Sequence, residues 1–353
     1  MTAAQMDLAS SDTRIDGMDE EDHLGISISG IGDIDGDSIE DFLFSGWNSD
    51  GNQNGDREGA AWLVLGPLSS GQAVDLSADD AAILFPGNVN GDRFGYRVSD
   101  LGDLDNDVDH LHEIGITATL VGDHPEEERT ENGGVYIFLG TTLKDAIDEG
   151  DDRLDTDDAD IWIYGEANYD ELGDGLANLG DLDPPDESTD PAYDDFAIGC
   201  TSWDDADSQE GGVFIFYGSS SIGDSGGEDG WDVTQAQMIL SGDEQNDRIG
   251  DVFVGRHDLN GDGKNDLLIG ASNSSEGATN SGTVYLGLGP VSDAINTSKN
   301  VSDLDASFYG RSVDDAAGSS LGIAGNLNND TDSLTGDGYD DFLVGGKCNN
   351  TNC

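Results

Sequence analysis

The chain has 353 residues, of which 76 are Asp or Glu and 13 are Lys or Arg, so its formal net charge is −63. This charge excludes nucleic acid as a partner, because the chain offers no basic patch that would neutralise phosphates. No apolar run approaches the ~20 residues of a membrane span, so we expect no direct insertion into a membrane.

The apolar residues are concentrated in short runs that begin or end at glycine. One set reads Ile83-Leu-Phe-Pro-Gly87, Ile161-Trp-Ile-Tyr-Gly165, Met238-Ile-Leu-Ser-Gly242 and Ser307-Phe-Tyr-Gly310. A second set covers Gly59 to Gly66, Gly134 to Gly140, Gly212 to Gly218 and Gly282 to Gly287. Runs of four to eight residues that are rich in Val, Ile and aromatics and bounded by turn residues predict β-strands.

These runs belong to a unit that recurs about every 70 to 80 residues and offers four strand-like runs, as one propeller blade does. Each copy contains a glycine eight residues before an acidic run, and these glycines are Gly25, Gly95, Gly173, Gly250 and Gly318. We number the units 13–80, 81–158, 159–235, 236–305 and 306–353, the last of them incomplete. A single domain over 1–353 is expected.

The acidic runs follow one pattern. The clearest copy is Asp33-Ile-Asp35-Gly-Asp37-Ser-Ile-Glu-Asp41, followed directly by the strand-like Phe42-Leu-Phe44-Ser-Gly46. Alternating carboxylates in a tight loop direct their oxygens at one centre, and Ca²⁺ takes six to eight oxygen ligands. The alternative is solvated surface charge, but a fivefold register between strands favours calcium. An EF-hand is excluded, because the twelfth loop position is Phe44.

With its motif, phase and flanking strands, the chain resembles the FG-GAP repeats of the integrin α-subunit β-propeller over roughly residues 13 to 346. Phe94-Gly95 carries the FG element literally. The resemblance implies an all-β fold, a β-propeller of about five four-stranded blades with calcium-binding loops. An arc of a larger, seven-bladed propeller is the alternative. Thr13 to Gly17 is expected to complete the last blade.

The family loop, Asp-x-Asp-x-Asp-Gly-x-x-Asp, implies a set of Ca²⁺ ligands in this chain. They are Asp33, Asp35, Asp37, Asp41, Asp103, Asp105, Asp107, Glu113, Asp181, Asp183, Asp195, Asp258, Asn260, Asp262, Asp266, Asn326, Asn328, Asp330 and Asp341. In the second loop Glu113 replaces the final Asp, because the strand begins two residues late. The third loop is interrupted by Pro184-Pro185, and the fifth resumes only at Asp340-Asp341.

Enzymatic readings are weaker. Gly318-Ser-Ser320-Leu-Gly322 matches the nucleophile elbow Gly-x-Ser-x-Gly, but it precedes a predicted strand, whereas that motif requires a helix. His110 and His112 beside Glu113 form a conceivable metal or acid-base cluster, although they lie in a loop insertion. We therefore expect no enzyme.

The sequence thus predicts an extracellular or cell-surface adhesion and ligand-binding module. Its expected partner is a protein or glycan held by loops such as Asp123 to Asn132 and Asp204 to Glu210. Two alternatives stay open, a non-catalytic propeller within a larger secreted hydrolase and a structural surface-layer or filament subunit. A local disulfide between Cys348 and Cys353 is compatible with that location.

Overall fold

The computed structural model describes residues 13–17, 20–68, 72–76, 81–108, 110–121, 132–165, 170–182, 193–203, 210–222, 230–289, 297–325 and 340–347. The elements in chain order are β1 (Thr13–Asp16), β2 (Ser27–Gly30), β3 (Phe42–Gly46), β4 (Ala60–Val64), β5 (Gln72–Asp75), β6 (Ile83–Pro86), β7 (Phe94–Gly102), β8 (Glu113–Ala118), β9 (Gly134–Phe138), α1 (Gly140–Glu149), β10 (Ile161–Tyr164), β11 (Gly175–Gly180), β12 (Asp195–Cys200), β13 (Gly212–Phe216), β14 (Trp231–Asp232), β15 (Met238–Ser241), β16 (Ile249–His257), β17 (Asp266–Ala271), β18 (Thr283–Gly287), β19 (Thr297–Asn300), β20 (Ala306–Tyr309), β21 (Ser320–Gly325) and β22 (Asp341–Gly345).

Four antiparallel sheets repeat one strand order, which confirms the predicted strands and an all-β fold of the propeller type. The orders are β2-β3-β4-β6, β7-β8-β9-β10, β11-β12-β13-β15 and β16-β17-β18-β20. The fourth strand of each sheet comes from the start of the next sequence unit. Each blade is therefore offset by one strand from the unit that the sequence repeats.

The core lies between neighbouring sheets. One buried cluster joins Leu43 of the first sheet to Ile114 of the second, and another joins Ile137 of the second to Phe196 of the third. A third cluster connects the third and fourth sheets. Because a sheet is covered on both faces, its central strands are continuously apolar, as in Gly-Val-Phe-Ile-Phe of β13, where every residue is buried.

The first strands of the sheets lie beside one another along the inner side. Between β2 and β7, Ser27 Oγ donates to Val98 O at 3.1 Å. Arg97 of β7 pairs with Asp251 of β16 at 3.2 Å. Since β11 lies between these two strands in chain order, the salt bridge shows that the row of sheets curves round upon itself.

The recurring glycine sits where two sheets come closest. Gly250 has φ of 104°, and a Cβ atom added to Gly199 of the adjacent sheet would lie 1.7 Å from Gly250 O. A left-handed backbone beside a second backbone leaves no room for a side chain, which explains the glycine at this position of the unit.

A parallel strand extends several sheets at the outer edge. β14 pairs with β10, β19 pairs with β15, and an isolated bridge joins Leu84 to Arg153. In the same manner β5 pairs with β1. β1 thus occupies the position of an outer strand belonging to a blade before the first one.

Ring closure stays a prediction. β21 and β22 form a two-stranded sheet, and among the described residues β1 pairs with β5 and not with that sheet. Large apolar side chains are exposed at both ends of the row, with Ile28 at 56% and Leu343 at 58%. The blade number, about five or an arc of a larger propeller, likewise stays a prediction.

The helix α1 was not anticipated from the repeat. Its Leu143 and Ala146 are buried in the cluster between the first two sheets. Gly150 ends the helix with φ of 75°, and its N–H bonds to the last turn. The helix follows β9 directly and closes the end of that interface.

Candidate metal centre

The first residue of the loop 33–41 organises its backbone. Asp33 Oδ1 accepts the N–H groups of Gly36 and Asp37 at 2.8 and 2.9 Å. Asp33 Oδ2 accepts the N–H of Ser38 at 2.6 Å. These bonds wrap the chain around the Asp33 carboxylate, so the side chains at alternate positions point toward the same centre.

The loop 258–266 has the same scaffold. Asp258 Oδ1 accepts from Gly261 and Asp262 at 2.6 and 3.1 Å, and its Oδ2 accepts from Gly263 at 2.6 Å. Asn260 Oδ1 accepts the N–H of Asp262 at 2.8 Å, as Asp35 does for Asp37 in the first loop. Two loops that are 225 residues apart in the sequence therefore contain the same hydrogen bonds.

The final carboxylate of the loop has a structural task that the spacing did not reveal. One oxygen accepts the N–H of the second loop residue and the other accepts an N–H at the end of the third strand. The pairs are Asp41 with Ile34 and Gly66, Glu113 with Leu104 and Gly140, Asp195 with Leu182 and Gly218, and Asp266 with Leu259 and Gly289. This residue therefore ties its loop to the third strand of the same blade.

Burial makes the charge of this residue costly. It raises the pKa of Asp41 and Asp266 above the ordinary range. For Glu113, burial raises the pKa to about 8, and nearby Asp105 adds to the effect. A divalent cation would favour the ionised form of each of these carboxylates.

Two groups of carboxylates converge closely. Ligand atoms of Asp33, Asp35 and Asp37 all lie within 4.8 Å of one another, and so do those of Asp103, Asp105 and Glu113. Asp41 stands outside the first group, whereas Glu113 belongs to the second. Asp103 Oδ1 is buried and has no hydrogen-bond partner among the described residues. A donor set made of carboxylate oxygens with an orphaned buried oxygen fits a hard cation.

The two histidines of the second loop contact different carboxylates. His110 Nδ1 lies 2.7 Å from Asp103 Oδ2, and His112 Nδ1 lies 2.8 Å from Asp100 Oδ1. Its hydrogen bond with Asp100 raises the pKa of His112. Arg256 also contacts Asp100, at 3.3 Å. The Nδ1 atoms of the two histidines thus contact separate carboxylates.

The remaining predicted ligands are only partly described. Asp181 follows β11, and Asp195 opens β12. Asp107 Oδ1 accepts the N–H of His110 at 2.7 Å, so this side chain supports the loop backbone. Asp341 opens β22 and pairs with Gly325. Asp183, Asn326, Asn328 and Asp330 lie outside the described residues, as do Asp123 to Glu131, Asp204 to Gln209, Cys348 and Cys353.

Ser320 begins strand β21, and no helix follows it directly in the described part. The strand-turn-helix context of a nucleophile elbow is therefore missing there. Cys200 is buried and free.

One repeated residue was missed by the sequence analysis. An aspartate stands three residues before every landmark glycine, at Asp22, Asp92, Asp170, Asp247 and Asp315. Asp247 Oδ2 accepts the N–H of Glu244 at 3.1 Å, and Asp315 Oδ2 accepts that of Ser312 at 2.7 Å. Asp22, Asp170 and Asp247 are buried. The fixed offset was visible in the sequence, but only the structure shows a turn-capping role.

The fold is all-β and of the propeller type, and its acidic loops connect the first and second strands of the sheets. A model of the FG-GAP repeat family matches residues 251–286, which include β17 and the loop 258–266. The chain is also 28% identical to integrin alpha-5 of Xenopus laevis over 255 residues, or 71% of this chain. These matches show that the chain is similar to FG-GAP repeat proteins of the integrin-alpha type. It spans about a fifth of the length of that relative, 20%.

None of the helices in the described part of the chain has the length and apolarity required to span a membrane.

Proposed function

We propose that the chain is a calcium-stabilised β-propeller that acts at the cell surface or outside the cell as an adhesion or ligand-binding module. The observation that carries the calcium part is the shared scaffold of loops 33–41 and 258–266, in which one aspartate gathers the loop backbone. The similarity to an integrin α-subunit supports the adhesion part. No catalytic step is assigned to the chain.

In this proposal the side chains at loop positions one, three and five bind the ion together with the main-chain oxygen of position seven. The final carboxylate of the loop contributes to the same centre, as the place of Glu113 in the second loop indicates. Because that residue also holds the third strand, an ion at the loop would couple three strands of a blade. We assign the ligands Asp33, Asp35, Asp37 and Asp41 to one ion, Asp103, Asp105, Asp107 and Glu113 to a second, and Asp258, Asn260, Asp262 and Asp266 to a third.

The same assignment extends to Asp181, Asp183 and Asp195 in the third loop and to Asn326, Asn328, Asp330 and Asp341 in the fifth. One domain over 1–353 would hold all five units. We propose that the partner, an extracellular protein or glycan, contacts loops between the second and third strands of the blades. These loops differ in length and composition, so changes there alter recognition without disturbing the strands.

Thermal denaturation tests the calcium part. Calcium-free protein should melt at a lower temperature than protein in millimolar calcium, because a ligand that binds only the folded state stabilises it by mass action. Equal melting temperatures with a strong chelator and with calcium would refute it.

A binding screen against extracellular proteins and glycans tests the adhesion part. The protein should bind at least one class in calcium and lose that binding in chelator. Binding that is absent under both conditions would contradict the proposed recognition role while leaving the calcium result intact.

A further inference from the structure

A second kind of acidic loop lies between the second and third strands of the first blade. It reads Asp50-Gly-Asn52-Gln-Asn54-Gly-Asp56-Arg-Glu58 and connects β3 to β4. The loops discussed above all connect the first and second strands. The 50–58 loop is thus at a different place in the blade, and the fivefold spacing does not include it.

The loop nevertheless shares three hydrogen bonds with the loop 33–41. Asp50 Oδ1 accepts the N–H of Asn54 at 2.9 Å, and Asp50 Oδ2 accepts that of Gly55 at 2.7 Å. Asn54 Oδ1 accepts the N–H of Asp56 at 2.7 Å. The equivalent bonds from Asp33 to positions five and six of its loop measure 2.9 and 2.6 Å.

An independent observation concerns Glu58, the ninth residue. Glu58 is only 1% exposed. Its Oε2 has neither solvent contact nor a hydrogen-bond partner among the described residues. Glu58 Oε1 accepts from Asn52 Nδ2 at 3.0 Å and from Asn54 Nδ2 at 2.9 Å. The carboxylate is therefore directed into the loop, beside its third and fifth residues. A buried carboxylate oxygen without a partner is costly unless a cation meets it.

No basic side chain supplies that cation. The guanidinium of Arg57 turns away and donates to Glu20 O at 3.3 Å and Glu21 O at 3.5 Å. Arg153 reaches Asn52 and Asp155. Among the described residues, no ion pair joins Asp50, Asp56 or Glu58 to Lys, Arg or His. The charge on Glu58 therefore lacks a protein counterion.

We propose that the loop 50–58 binds an additional divalent cation of the calcium class, through Asp50, Asn54, Glu58 and the main-chain oxygen of Asp56. The donors are all oxygens, with neither Cys nor His, so a hard cation is favoured over zinc or copper. Asn52 is held by Gly87 O at 2.9 Å and by Arg153, and it positions Glu58. A cavity of about 460 Å³ is lined by Asp50, Gly55 and Asp56 of the same loop.

The number of carboxylate ligands predicts how tightly this loop binds calcium relative to the loops 33–41 and 258–266. The loop 33–41 offers four carboxylates at the ligand positions and the loop 258–266 offers three, whereas the loop 50–58 offers two. Because calcium affinity rises with the number of charged ligands, this site should fill after those two loops in a titration.

Three variants of the full chain test the proposal, with Ca²⁺ alone as the probe. Glu58→Gln keeps the hydrogen-bond acceptor for Asn52 and Asn54 but removes the charge, so the number of ions bound at saturation should fall by one. Asn54→Asp adds a ligand charge, so the ion at this loop should bind about tenfold tighter. Glu21→Gln, whose side chain is 81% exposed nearby, is the matched control and should change neither quantity.

Native mass spectrometry gives the ion count, and calorimetric titration of calcium-stripped protein gives the affinities. A wild-type ion count in Glu58→Gln, or a set of calcium affinities in Asn54→Asp equal to that of the wild type, would overturn the proposal. If Glu58→Gln does not fold, anomalous scattering from wild-type crystals soaked in calcium tests the site instead. The absence of an anomalous peak between Asp50 and Glu58 would then refute it. Failure of the 33–41 and 258–266 loops to bind calcium would appear in Asp37 and Asp262 variants, so the two outcomes are distinguishable.

Discussion

Replacing Asp37 with Asn should change stability in opposite directions with and without calcium. Asp37 is exposed, and its Oδ1 accepts the N–H of Ile39 at 2.8 Å, a bond that the Asn oxygen preserves. The substitution therefore removes a charge while the loop backbone keeps its support. It tests the electrostatics of the site separately from the fold.

Without calcium the variant should be the more stable protein. The ligand oxygens of Asp33, Asp35 and Asp37 lie within 4.8 Å, where two like charges in water repel by about 0.9 kcal/mol. Asp37 takes part in two such pairs, and screening at physiological salt leaves roughly 1 kcal/mol in total. Unfolding entropy of about 2.1 cal/mol/K per residue converts this into a rise of about 1 to 2 °C in melting temperature.

With calcium the order should reverse. A 100-fold loss of affinity on removal of one charged ligand reduces the mass-action stabilisation by about 2.7 kcal/mol. This corresponds to a fall of about 4 °C relative to the wild type. Calorimetry in chelator and in millimolar calcium should therefore show that the order of the two melting temperatures reverses.

Asp157→Asn is the matched control, because it removes the same charge from an exposed side chain outside the loops. It should leave the calcium-dependent shift at its wild-type value. If Asp37→Asn and Asp157→Asn behave alike under both conditions, the acidic loops act only as a diffuse charge surface and the reasoning fails.

Burial raises the pKa of Asp247 to about 6 from its ordinary 3.8, so the folded state binds the proton more tightly and the free energy of unfolding falls as pH rises from about 4 to 6. Between pH 4 and pH 7 the Asp247→Asn variant should therefore gain up to about 3 kcal/mol of stability over the wild type. Parallel pH profiles of the two proteins in denaturant titrations would contradict this. Gly199→Ala should destabilise the protein by more than about 3 kcal/mol, because the added Cβ would meet Gly250 O. Gly30→Ala is the control and should not destabilise it, because nothing lies within 4 Å of a Cβ at that position. Equal denaturation midpoints of the two variants would refute the close packing. Burial also raises the pKa of Cys200 well above its ordinary value, and its thiol donates to Asp170 O at 2.7 Å. A thiol reagent should therefore label Cys200 only after unfolding. Rapid labelling of Cys200 in the native protein, located by peptide mapping, would be the contrary result.

The local periodicity of the chain determined most of the strands. Apolar runs such as Gly134 to Gly140 and Ile161 to Gly165 appear as β9 and β10, because a run bounded by glycine and covered on both faces has few other conformations available. The loop spacing also predicted that Glu113 stands for the final Asp, and the structure places it opposite Leu104 as the equivalent of Asp41. Such features depend on neighbours a few residues apart.

Long-range contacts decided the rest. The ninth loop residue bonds to the end of the third strand, over 20 residues away in the case of Asp41 and Gly66, and spacing alone carries no information about that partner. The pairing of β1 with β5 is likewise set by the assembled sheet edges. The sequence of the 50–58 loop did not predict the buried oxygen of Glu58, which has no hydrogen-bond partner among the described residues. Exclusion of solvent is a property of the assembled blades and not of any segment by itself.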